Sequence, residues 1–88
     1  MDTLIIEGIV PNSFQNQGEF YLRICEEDQA KAAIFFDGID TGLRSNSIAV
    51  RKTEYVKKCK AGDRVRYTLK RYHRKDGIRV KGVSCEIL

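Results

Sequence analysis

The chain has 88 residues, 42% of them apolar and 32% charged, with 16 Lys and Arg against 12 Asp and Glu and a formal net charge of +4. That length and composition fit one small domain, residues 1–88, with a single modest core, and no apolar run reaches the roughly 18 residues a membrane span needs. The charge is divided along the chain: residues 44–88 hold 14 Lys and Arg against 4 Asp and Glu, whereas residues 1–43 hold 2 against 8.

The first turn of the chain, Met1-Asp2-Thr3, is acidic and leads into a mixed run. No basic segment precedes an apolar one, so a cytoplasmic protein is expected. Cys25, Cys59 and Cys85 are odd in number and form no Cys-x-x-Cys pair, which predicts buried thiols in a reducing compartment rather than a disulfide framework. His73 is the single histidine, so neither a metal site nor a cofactor is expected.

In chain order, Leu4, Ile6 and Val10 alternate with Ile5, Glu7 and Ile9 around Gly8, the pattern of a strand with a bend or bulge at its glycine. Turn formers from Pro11 to Gly18 follow, and then Phe20, Leu22 and Ile24 alternate with Tyr21, Arg23 and Cys25 in a second strand. After the acidic turn Glu26-Glu27-Asp28, residues Ala30 to Phe36 read as a third strand, with Ala32, Ile34 and Phe36 opposing Lys31, Ala33 and Phe35. Both of its phases are apolar, so which one faces the core stays open. A loop through Asp37–Asn46 contains or precedes a short extended piece at Ile48 and Val50. Thr53 can cap a helix to Lys60, with Glu54 in its first turn, lysines toward its end, and Gly62 at a left-handed C-cap.

Val65, Tyr67 and Leu69 then alternate with Arg64, Arg66, Thr68 and Lys70, and Lys75-Asp76-Gly77 closes a hairpin onto Ile78 and Val80. Tyr67 is in phase with the apolar residues and belongs to the core. Beyond Gly82 the phase shifts to Val83, Cys85 and Ile87, as a bulge at the glycine would cause. The order of elements predicts an all-β fold: a five-stranded Greek-key barrel of the oligonucleotide/oligosaccharide-binding (OB) type, with one short helix between strands 3 and 4. An open α+β sandwich is the competing arrangement.

Leu4-Ile5-Ile6-Glu7-Gly8-Ile9-Val10, the run Val56 to Val65, Asp76-Gly77-Ile78-Arg79-Val80 and Cys85-Glu86-Ile87-Leu88 resemble bacterial single-stranded DNA-binding proteins and primosomal replication protein N. The Gly62-Asp63-Arg64-Val65 turn is also similar to cold-shock and initiation-factor-one-like domains, and Gly18-Glu19-Phe20-Tyr21-Leu22 is similar to the cold-shock stacking motif, with Gln17 where that motif has Lys and Tyr21 where it has its second Gly. The chain has no Trp on which to stack bases and no acidic tail like that of the single-stranded DNA-binding proteins, so the resemblance is closer to the short primosomal type. It implies a role in DNA replication, in a bacterium or a mobile element.

The resemblance further implies that nucleic acid lies across strands 2 and 3 and is gripped by the first loop and the last hairpin. On this sequence that face presents Tyr21, Arg23, Lys31 and Phe35, with Phe14 from the loop and Arg71, Tyr72, His73, Arg74 and Lys75 from the hairpin. The patterning of cations with rings adds Arg66, Lys70, Arg79 and Lys81, a mixture suited to a flexible polyanion with exposed bases. No phosphate loop, catalytic triad or paired-carboxylate arrangement is legible, so a non-catalytic binder is expected. Its partner is single-stranded DNA, ahead of RNA; the alternative is a protein-docking module that meets an acidic partner or self-associates into a homodimer through its acidic and basic halves. The acidic residues of the first half are the objection to a phosphate backbone across strands 2 and 3.

Overall fold

The computed structural model describes residues 2–12, 19–39, 42–51 and 59–88. Six strands, β1 (Thr3–Ile9), β2 (Glu19–Ile24), β3 (Leu43–Arg44), β4 (Ser47–Arg51), β5 (Arg64–Arg74) and β6 (Gly77–Ile87), form one antiparallel sheet in the order β3-β4-β2-β1-β5-β6. The helix α1 (Gln29–Phe35) follows a single 3-10 turn, Glu26–Asp28. Because β5 returns to lie beside β1, the long strands β1, β2, β4 and β5 follow a Greek-key path. The mostly-β expectation holds, but the five-stranded closed barrel does not: β6 and β3 are the two ends of an open sheet.

Gly8 stands where β1 is shared between the two halves, paired with Ile24 on one side and Val65 on the other. A side chain there would come within 2.7 Å of the Leu22 Cγ and 2.8 Å of the Arg23 carbonyl oxygen, so glycine permits the close approach of β2. The hairpin β5–β6 turns through Lys75 and Asp76, with Gly77 at φ +130°. The expected phase shift in its second strand is present as a bulge: Leu69 pairs with Gly82 and Thr68 with Ser84, leaving Val83 as the extra residue.

The stretch read as a third strand is the helix. A period of 2 and a period of 3.6 both bury Ala32 and Phe36; they differ at Ile34 and Phe35. Phe35 is 0% and Ile34 64% exposed, as a helix requires, and three alanines within seven residues favour it. The third long strand is instead β4, around the short extended piece expected at Ile48 and Val50. The helix expected over Thr53–Lys60 falls mainly on residues outside those described; Gly62 does adopt a left-handed φ of +90°.

One face of the sheet carries the core. Leu4, Ile6, Leu22, Ile24, Ile48, Val50, Val65, Tyr67 and Leu69 project from it and meet Ala32, Phe35 and Phe36 of the helical segment. Asp28 fastens the helix start to β1, its Oδ2 accepting the Glu7 N–H at 2.8 Å. The opposite face has no helix over it among the described residues.

Candidate nucleic-acid interface

Alternation along each strand decides which side chains reach that outer face. The rungs Arg64–Ile9–Arg23, Arg66–Glu7 and Lys70–Thr3 across β5, β1 and β2, and Arg66–Glu86, Lys70–Lys81, Tyr72–Arg79 and Arg74–Gly77 across β5 and β6, all belong to it. Tyr21 lies on it from β2, and Arg44 of β3 stands with its guanidinium carbon 5.5 Å from the Tyr21 ring centroid. Sequence patterning missed Arg44, because a two-residue strand has no period to read.

Acidic residues neutralise the middle of this face. Arg64 is bound to Glu7 at 2.8 Å and to Glu27 at 3.2 Å; Arg66 lies 3.6 Å from Glu7 and 3.4 Å from Glu86. The distal hairpin is different. Arg79 pairs with Asp76, but Lys70, Arg74, Lys75 and Lys81 have no acidic partner among the described residues. Lys70 and Lys81 are directly opposite one another, a like-charge rung that works against the hairpin and favours an anion over it. Tyr72, 39% exposed, is on the next outer rung.

Several expected contacts do not join this surface. Phe35 is buried in the core, where a face read as a strand had placed it outward. Lys31 is on the exposed side of α1, 3.4 Å from Asp28, across the sheet from the outer face. Arg71 points inward because it is in phase with Leu69: its Nη1 donates to the Phe35 carbonyl oxygen at 3.1 Å, its guanidinium carbon is 5.5 Å from the Phe35 ring centroid, and its Nε is 3.6 Å from Asp2. His73 shares that phase and lies 3.8 Å from Asp2. Phe14 lies outside the described residues.

Tyr21 and Tyr72, read as parts of one face, are at opposite ends of it. From the rung of Arg23, Ile9 and Arg64, Tyr21 is two residues to one side and Tyr72 eight to the other. At ~3.3 Å per residue that is on the order of 30 Å along the sheet.

The remaining polar chemistry is inside. Burial pushes the Tyr67 hydroxyl up to about 12, and burial together with the neighbouring Cys59 thiol does the same for Cys85. Cys59 Sγ and Cys85 Sγ are 4.0 Å apart. Among the described residues no three His, Cys, Asp or Glu side chains converge to hold a metal ion, and no helix is long and apolar enough to cross a membrane. No protein-family model matches the chain, and no curated protein or solved structure shows significant similarity to it.

Proposed function

We propose that this protein is a non-catalytic binder of single-stranded nucleic acid, DNA ahead of RNA, and that the distal β5–β6 hairpin is its principal contact. The observation that carries the reading is the uncompensated cation cluster Lys70, Arg74, Lys75 and Lys81 around the exposed Tyr72. Phosphates would neutralise the Lys70–Lys81 rung, and Tyr72 offers a face to one base, a contact worth about 1 to 3 kcal/mol with little sequence preference. Tyr21, Arg23 and Arg44 supply a second patch for a longer strand.

The acidic half does not oppose this placement, because Glu7, Glu27 and Glu86 are engaged with Arg64 and Arg66 at the base of the hairpin. The Greek-key path with β1 shared between β2 and β5 supports descent from an OB-type barrel of the single-stranded DNA-binding and primosomal kind, here with an open sheet. A role in replication in the cytoplasm goes with that descent.

The test is titration of a labelled single-stranded oligonucleotide with the native chain and with Tyr72→Ala, Arg74→Ala and Lys75→Ala. Tyr72→Ala should weaken binding about 5- to 100-fold at any salt. Each cation removed should lower the slope of log affinity against log salt by about 0.7. If all three variants bind like the parent, the hairpin is not the contact.

A further inference from the structure

The two ends of the sheet are unequal. β3 is two residues long, whereas β6 runs for eleven, and its outer edge has no strand on it among the described residues. A long edge with free N–H and C=O groups is a template for another strand. The side chains on β6 say which strand would fit. Its outer-face row is Arg79, Lys81, Ser84 and Glu86; its inner row includes Ile78, Val80 and Cys85, all half-buried, and Ile87, which is 44% exposed.

We propose that two copies of this chain pair antiparallel along β6 about a two-fold axis at Ser84, joining their sheets into one. The bulge places Val83 between the Leu69–Gly82 and Thr68–Ser84 rungs; with Gly82 and Val83 counted as one rung, pairing about Ser84 sets Lys81 opposite Glu86 of the second copy. The same register sets Val80 opposite Ile87 of the second copy, and symmetry repeats both pairs. Faces match throughout: charged residues meet on the outer face and apolar ones continue the core. Lys81, which faces only Lys70 within its own chain, gains an acidic neighbour, and the exposed Ile87 is covered.

Centring the axis on the bulge instead would oppose Arg79 and Glu86, but Arg79 is already held by Asp76 and the two irregular rungs would face each other. Glu86 now lies 3.4 Å from Arg66 in an exposed pair, a weak contact that leaves it able to reach across. Antiparallel pairing points the two hairpin tips in opposite directions, with Lys70, Arg74 and Lys75 at each.

The experiment is light scattering coupled to size exclusion, without nucleic acid, so that it is independent of the binding reading. The native chain should run as a dimer at high micromolar concentration. Glu86→Lys and Lys81→Glu should each give folded monomers, checked by circular dichroism, and the double exchange Glu86→Lys with Lys81→Glu should restore the dimer. A monomeric native chain, a dimer indifferent to either single reversal, or a folded double exchange that stays monomeric would each overturn the proposal.

Discussion

A methyl group placed at Gly82 would overlap the Tyr67 hydroxyl and come within 2.6 Å of its Cζ. Glycine at the bulge is therefore what lets the Tyr67 ring fill the end of the core. Gly82→Ala should lower unfolding stability by about 2 to 3 kcal/mol, the scale of an overpacked site, as a shift in urea midpoint; an unchanged midpoint would show that the ring moves freely. Tyr67 and Cys85 also set a response to alkali. Their ordinary values are 10 and 9, and folding raises both to about 12. Below the ordinary values both states hold these protons; as pH rises past about 9 the unfolded chain loses them first, so stability falls from there toward pH 12. Melting temperature should thus drop across this range, and less steeply in a Tyr67→Phe, Cys85→Ala double variant.

At the scale of elements, the helix α1 and the hairpin are joined by one side chain. Arg71 donates to the carbonyl at the end of α1 and lies against the Phe35 ring, so Arg71→Ala should cost about 1 to 3 kcal/mol, while Arg74→Ala at the exposed tip should stay within about 0.5 kcal/mol. Thermal or chemical denaturation of the two separates a structural arginine from a surface one. The helical register makes a second contrast: Phe35→Ala should lose about 3 to 5 kcal/mol, whereas Ile34→Lys should be nearly neutral. A strand would reverse that order. Alternation with a strong turn signal made the hairpin legible from sequence, down to the phase shift at Gly82, and Tyr67 read correctly as core. The Ala30–Phe36 stretch was misread because seven residues sample two helical turns, too few to separate a period of 2 from one of 3.6 when most positions are apolar. Arg71 was misassigned because it belongs to the basic run by composition and to the core row by phase. Arg44 could be placed only by knowing the chain path around Tyr21.

On the whole molecule, folding converts a charge split along the sequence into a charge split in space. Acids from the first half neutralise Arg64, Arg66 and Arg71 near the centre of the sheet, and the positive charge left over is concentrated at the far end of the hairpin. The measurement that bears most directly on the account is a fluorescence-anisotropy titration of mixed-sequence single-stranded DNA and RNA, with a duplex control, over a range of salt. Three or four phosphate contacts at the hairpin predict a slope of log affinity against log salt of about −2 to −3 for single strands, with DNA ahead of RNA and the duplex much weaker. No binding of either single strand at low salt, or equal binding of the duplex, would contradict it.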